Sequence, residues 1–392
     1  MNSLWGGIMA LQVWVESTFS MTPWYVDFCT GIKTAAAARR LKPEILITEV
    51  PLETCSTESM VFLLGETMRW FETMMDYLAR RDIPSCMVTC GNSFLPSSVS
   101  SITNAHARDM ANLLRYMKHY SRLHAALFGF NPSSPADYQR LEGAFYDSER
   151  IPEDDIYYLL GSVEELADKL IKRIDQYDSI ITGNDVYAIY LIGCLRKAGI
   201  RVPEDVYVAS FGNIILGSIV SPSISSMSVD LKQMANVAIS AYAGWQKNAW
   251  GANFSFVVES AFYARQSTDY LEMPHNSDRV YGRNMMELPE NYPDHKSSYT
   301  NDSLYFISTL NNFIQKADTI DVYIIQALLE ETPFDTVAER LFLSKRGLDY
   351  RLFKIYRLFK VSSRRNLKNL LQAYSDMICF DDLVKAKADI TR

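Results

Sequence analysis

Pro333-Phe334-Asp335-Thr336-Val337-Ala338-Glu339-Arg340-Leu341-Phe342, then Leu343-Ser344, then a basic run from Lys345 to Lys360, is the stretch on which the reading of this chain turns. Val337, Leu341 and Leu343 sit at spacings that point inward from a short first helix and its turn. Leu348, Leu352, Ile355 and Leu358 or Phe359 follow at the three-to-four-residue steps of one helical face. Lys345, Arg346, Arg351, Lys354 and Arg357 take the other faces. Ser344 stands where an N-cap is needed, its hydroxyl accepting a backbone amide that the helix start leaves free. Ser362 or Ser363 can cap a last helix through Tyr374 in the same way. The outline is a helix-turn-helix over about 333–360, set in a small all-α domain spanning 301–392.

Charge points the same way. From Arg340 to Lys368 there are ten lysines and arginines against one acid, Asp349, in a chain whose net charge is −7. Concentrated positive charge is the footprint that nucleic-acid binding requires, because cations displace the counterions condensed on phosphate. Ser344, Lys345, Arg346, Asp349, Tyr350 and Arg351 are the candidates to face a DNA groove. Lys354, Arg357, Arg364 and Arg365 are the candidates to neutralise phosphates. On residues alone, a solvated basic face that contacts another protein stays open as the alternative.

The segment Val337-Ala338-Glu339-Arg340-Leu341-Phe342-Leu343-Ser344-Lys345-Arg346-Gly347-Leu348-Asp349-Tyr350-Arg351, continued by Ile355, Phe359, Val361, Ser363, Arg364 and Leu367, resembles the DNA-binding domain of LuxR/GerE-type regulators. That family reads roughly I-A-x-x-L-x-[LI]-S-x-x-T-V-x-x-H, then I-x-x-K-L-x-V-x-[ST]-R-x-x-L. The likeness covers about 55 residues and is most specific at Ala338, Leu341, Ser344 and Val-x-Ser-Arg. It departs at Gly347, where threonine is usual, and at Arg351, where histidine is common. A glycine inside a helix costs about 1 kcal/mol against alanine. The resemblance implies double-stranded DNA as a partner.

The other three-quarters of the 392 residues leave room for one or two further domains. Apolar content of 48% and charged content of 22% are ordinary globular values, which excludes a disordered chain. No run of 18 apolar residues exists, so no membrane helix is expected. Met1 to Ala10 lacks a cationic segment and a cleavage-site pattern, so a cytoplasmic protein is expected. The six cysteines (29, 55, 86, 90, 194, 379) are scattered and read as reduced core thiols, not a metal site. His106, His119 and His124 read as surface or capping residues. There is no P-loop, no G-x-G-x-x-G after a strand, no G-x-S-x-G and no H-E-x-x-H, so neither catalysis nor a cofactor is expected.

Strand and helix patterns alternate through the first 270 residues, as in a parallel α/β sheet. Strands are expected at Ile8–Glu16, Glu44–Glu49, Cys86–Thr89, His124–Gly129, Ser179–Thr182, Tyr207–Phe211 and Ser255–Ala264. Helices are expected at Trp24–Arg39, Glu66–Arg80, Asn104–Tyr120, Pro135–Arg150, Val163–Gln176, Val186–Ala198 and Asp230–Trp245. They make one large sheet or two smaller ones, with a ligand cleft at the carboxyl ends of the strands. Residues 271–300 read as a loop-rich linker, and Asp302–Gln315 as a helix joining the two parts.

Ile181-Thr182-Gly183-Asn184-Asp185-Val186-Tyr187-Ala188, then Leu195 to Val206 with its Gly199-Ile200-Arg201-Val202-Pro203-Glu204-Asp205, resemble the Lac-repressor-type sensor domain. The likeness continues through Val208 to Asn213, Ser221 to Met227 and Arg265-Gln266-Ser267-Thr268, with Arg140-Leu141-Glu142-Gly143 at the family's R-x-x-G. It covers residues 8 to 268 and implies, for 1–270, a periplasmic-binding-protein-like sensor: two α/β subdomains closing on a small molecule. That family's N-terminal helix-turn-helix is expected to be absent here, its role taken by the C-terminal one. The resemblance places effector contacts at Arg140, Asn184, Asp185 and Gly212, with Phe19 and Trp24 able to stack on a sugar or nucleobase-like ring. Asn184 and Asp185 equally read as an N-cap pair. Gly212 falls where the family usually has an aspartate, so a standard sugar pocket is not implied. The combined expectation is a ligand-responsive transcription regulator acting as a homodimer.

Overall fold

Short apolar runs bounded by turns become parallel strands here, the central ones buried on both faces by flanking helices. The computed structural model describes residues 11–53, 60–89, 99–145, 151–248, 253–274, 301–380 and 382–383. The first subdomain opens with β1 (Gln12–Val15), α1 (Pro23–Ala37), β2 (Glu44–Ile47), β3 (Val61–Leu64), α2 (Met68–Ala79), β4 (Ser85–Val88) and β5 (Ser100–Asn104). The second follows with α3 (His106–His119), β6 (Ala125–Phe130), α4 (Pro135–Ala144), β7 (Ile156–Tyr158), α5 (Val163–Ile171), β8 (Ser179–Thr182), α6 (Asp185–Lys197), β9 (Tyr207–Phe211), α7 (Ile215–Ile219) and β10 (Ser225–Val229). The chain then returns to the first with α8 (Leu231–Asn248) and β11 (Ser255–Val258), and ends in the second with β12 (Ser260–Tyr263).

Two six-stranded sheets result, ordered β11-β5-β4-β3-β1-β2 and β12-β10-β9-β8-β6-β7. All pairings are parallel except β12 with β10. The chain crosses between subdomains three times, at Ala105, Asp230 and Glu259, each a single residue between elements. Val13, Val15, Phe28, Ile32, Phe62 and Tyr242 form the core between the first sheet and α1/α8; Phe128, Ile180, Leu191 and Val208 form that between the second sheet and α5/α6. Gly143 lets α3 and α4 close: a Cβ there would stand 2.0 Å from the Ala107 carbonyl oxygen.

Beyond residue 300 come α9 (Asp302–Lys316), α10 (Thr319–Leu329), α11 (Phe334–Arg340), α12 (Lys345–Leu358) and α13 (Arg364–Ala373). Asn301, Asp318, Ser344 and Ser363 cap α9, α10, α12 and α13 through side-chain acceptors. Leu304, Ile307, Leu310 and Ile314 of α9 share one apolar core with α6 and α7 of the second subdomain.

Several sequence expectations need correction. Residue 104 ends a strand and does not begin a helix; the helix starts at His106. The expected strand Ser255–Ala264 is two strands, divided at Glu259 between different sheets. Helix α4 ends at Ala144, and α5 at Ile171 with a separate 3-10 turn at Ile174–Gln176. Most of the expected linker, residues 275–300, lies outside the described residues, as do Cys55 and Cys90. The strands at Val61–Leu64, Ile156–Tyr158 and Ser225–Val229 were not foreseen.

Candidate functional site

In parallel sheets every strand delivers the following loop to the same edge, and here the two such edges face each other. Between them lies a cavity of about 170 Å³, lined from both subdomains. The first supplies Phe19, Trp24 and Asp27 after β1, Glu66 after β3, Thr89 after β4 and Asn104 at the end of β5. The second supplies Asn131, Asp137 and Arg140 after β6, Gly183 to Tyr187 after β8, and Phe211, Gly212 and Ile214 from the end of β9.

Arg140 is the cavity's principal cation. Its Nη1 donates to Asp137 Oδ1 at 2.7 Å and to the Gly183 carbonyl at 3.1 Å, and the guanidinium lies 4.4 Å from the Phe211 ring centroid. Its Nε is buried with no hydrogen-bond partner among the described residues. Asp137 also accepts from the Asn131 amide at 3.1 Å, while burial pushes its carboxyl above the usual range. Asn184 is the N-cap of α6, accepting from the Tyr187 amide at 3.1 Å. Asp185 is fully buried; it accepts from Ser226 Oγ and the Ile214 amide, each at 2.8 Å. Burial raises its pKa to about 6, against the lowering effect of those bonds. Gly212 lies at φ +118°, a backbone conformation that an aspartate adopts only with strain. Phe19 and Trp24 pack with centroids 5.5 Å apart, and Trp24 stacks on Phe28 at 4.9 Å.

All six sequence-derived effector candidates therefore line one cavity. His106 was placed wrongly by sequence: it is buried, and its Nε2 donates to the Thr89 carbonyl at 2.7 Å. Burial first, and the Arg140 charge second, lower its pKa to about 3, so it is neutral at physiological pH. His119 and His124 are exposed. Asp27, Glu66, Thr89, Asn104 and Asn131 were missed as lining residues, although all but Asp27, which lies on α1, stand at or just after a strand end. The wall thus offers aromatic faces, carboxylates, amides and one guanidinium to a small polar molecule, a chemistry of binding.

A second candidate surface lies on α12. Leu348, Leu352 and Ile355 are buried against the neighbouring helices, while Lys345, Arg346, Asp349, Tyr350, Phe353, Lys354, Arg357 and Lys360 are exposed. Lys354 Nζ stands 4.4 Å from the Tyr350 ring centroid. Ser344 Oγ accepts from the Gly347 amide at 3.1 Å. Arg365 is exposed at the start of α13. Two residues depart from the expected arrangement. Arg351 Nη1 donates to Asp318 and to Asp321, at 2.9 Å and 2.7 Å, and so ties α12 to the start of α10. Arg364 Nη2 donates to the Thr332 carbonyl at 3.0 Å and lies over the Phe334 ring. Phe342, in the turn before α12, is 96% exposed at φ +53°.

Among the described residues no three potential metal ligands cluster, and no helix is long and apolar enough to cross a membrane. Cys29 and Cys86 are buried free thiols.

A family profile described as a periplasmic binding protein-like domain matches residues 127–268. The HTH-type transcriptional regulator DegA of Bacillus subtilis (strain 168) is 23% identical over 190 residues, 47% of this chain and 56% of that protein. The chain thus spans about half the length of this curated relative. Among solved structures, the transcriptional regulator CelR in complex with cellobiose superposes with a TM-score of 0.55 at 14% identity, over 65% of this chain and 84% of that one. The first two-thirds of the chain has the periplasmic-binding-protein-like α/β fold. Within that class its likeness is to transcription regulators; a regulatory protein of the LacI family from Chloroflexus aggregans superposes with a TM-score of 0.54 at 13% identity, over 65% and 98% of the two chains.

Proposed function

We propose that this protein is a cytoplasmic, ligand-responsive transcription regulator that binds a small polar effector between its α/β subdomains and DNA through its C-terminal helix-turn-helix. The observation that carries the reading is the exposed basic face of α12, capped by Ser344 and set beside a sensor-type fold. Lys345, Arg346, Asp349 and Tyr350 stand where a recognition helix meets base edges; Lys354, Arg357 and Arg365 stand where phosphates would run. Arg351 and Arg364, held by Asp318, Asp321 and Thr332, are supports for that surface. Arg140, Asn184, Asp185, Phe19 and Trp24 form the effector wall, with a sugar or nucleobase-like ring against the aromatics. A homodimer would present two α12 helices to half-sites about one helical turn apart, and the effector would favour one spacing.

The test is to incubate the purified protein with fragmented genomic DNA, recover what binds and sequence it. Enrichment of a few promoters sharing a two-fold element supports the reading. A second reading draws on the exposed rings of Phe342, Tyr350 and Phe353, which would suit contact with another protein. Affinity for DNA that falls steeply with salt separates the two, since counterion release belongs to phosphate binding. Weak, unselective recovery by a folded protein would favour the protein-contact reading.

A further inference from the structure

Helix α9 touches three parts of the molecule, by different chemistry in each place. Toward the second subdomain it is chiefly apolar: Leu304, Ile307, Leu310 and Ile314 are buried with α6 and α7, and Asn311 Oδ1 accepts from the Leu216 amide of α7 at 3.0 Å. Toward α12 and α13 it is aromatic. Phe306 and Phe313 meet Phe359 with centroids 6.0 and 5.8 Å apart, and Phe306 stacks on Tyr374 at 4.0 Å.

Toward the first subdomain it is polar. Ser308 Oγ donates to the Met21 carbonyl at 2.8 Å, and Gln315 Nε2 donates to both Asp27 oxygens at 2.9 Å. Asp27 is also a wall residue of the cavity, one turn beyond Trp24 on α1. Along the same helix and the turn it meets, Thr18 Oγ1, Asn312 Oδ1 and Gln315 Oε1 are buried without a hydrogen-bond partner among the described residues. A seam held by a few replaceable bonds, with buried polar groups unmet, re-forms in another register more readily than an apolar one.

We propose that α9 is the lever joining the cavity to α12, with the Asp27–Gln315 pair as its latch. A bound group that donates hydrogen bonds to Asp27, a hydroxyl or an ammonium, takes the place of Gln315 on the carboxylate. The first-subdomain end of α9 is then released, and the shift reaches α12 through the Phe306–Phe313–Phe359 contacts. The inference rests on the reading of the cavity as sensor and α12 as reader.

Amide hydrogen exchange on the full chain tests the latch in the absence of effector and DNA. Gln315→Met keeps the side-chain length and removes the bond; Gln315→Glu sets a second carboxylate against Asp27. The expected result is exchange at least threefold faster both in residues 308–316 and in residues 345–358, stronger for the Glu variant, with β1, β3, β8 and β9 unchanged. Faster exchange confined to 308–316, or no change, overturns the lever. If the Glu variant loses protection in every strand, the Met variant decides by the same two segments. Failure of the wild-type protein to select DNA would sink the regulator reading and leave this result standing on its own.

Discussion

Asp185 pairs a structural duty with a titration. Held at the head of α6 by Ser226 and the Ile214 amide, its folded carboxyl keeps a proton up to about pH 6 because burial disfavours the charge. The unfolded chain releases that proton near its ordinary pKa, so the folded state binds it more tightly. Its contribution is therefore fully present below about pH 4 and is lost as pH rises through about 6, at roughly 1.4 kcal/mol per unit between them. In Asp185→Asn the amide replaces the carboxyl and nothing titrates. Urea unfolding across pH 4–7 should show the wild-type advantage shrinking toward pH 6; a constant difference would refute the assignment. Gly143 poses a simpler case. A methyl group placed 2.0 Å from the Ala107 oxygen forces α3 and α4 apart, and Gly143→Ala should lose about 1–3 kcal/mol or more of stability by the same measurement. Arg140, one turn earlier on α4, would be displaced with it.

At the scale of elements, two arginines of α12 make opposite predictions. Arg346 is exposed and makes no hydrogen bond or ion pair among the described residues, so Arg346→Ala should weaken specific DNA binding by about 1–3 kcal/mol and leave the unfolding midpoint unchanged. Arg351 is 25% exposed and bonded to two carboxylates of α10, so Arg351→Met should cost roughly 1 kcal/mol of stability. Its effect on DNA should be secondary. Binding titrations and chemical unfolding on both variants would reveal any reversal of this pattern. The helix starts and the apolar strands, among them Ser179–Thr182 and Tyr207–Phe211, were legible. Thr22 and Asn184 as well as Ser344 and Ser363 announce the helix starts, and the apolar spacing carries the rest. The strands Ser100–Asn104 and Ser225–Val229 were illegible because serine carries no strand signal of its own. Their hydroxyls are buried by partners remote in sequence: Ser101 with Ser255 at 2.9 Å, Ser225 with Thr268 at 2.7 Å, Ser226 with Asp185. Local pattern cannot see such pairs.

At the scale of the whole molecule, alternation of strands and helices was enough to read a parallel α/β architecture but left one sheet or two open; only the resemblance to the Lac-repressor-type domain implied two subdomains. That division depends on single residues, Ala105, Asp230 and Glu259, which look like any other loop position. The cavity was half legible for a related reason. Arg140, Asn184 and Asp185 sit in recognisable phrases, whereas Asp27, Asn104 and His106 become neighbours only once three crossings bring two strand edges together. A dimer is a prediction at this scale: sedimentation equilibrium should give a mass near twice 44.7 kDa, and a monomer at micromolar concentration would remove the paired-helix mechanism.

The apolar face of α9 has a bearing on inheritance. Leu304, Ile307, Leu310 and Ile314 pack against the second subdomain, so a splice before Asn301 would strip α6 and α7 bare, while a splice just after Lys316 would cover them but lay open the Phe306 and Phe313 face of α9. Recombination that grafted the last helices onto another sensor would also have to graft a matching partner for Phe359. The α/β part and the last helices of this chain are separable as text but not as objects, and they should travel between genomes as one piece.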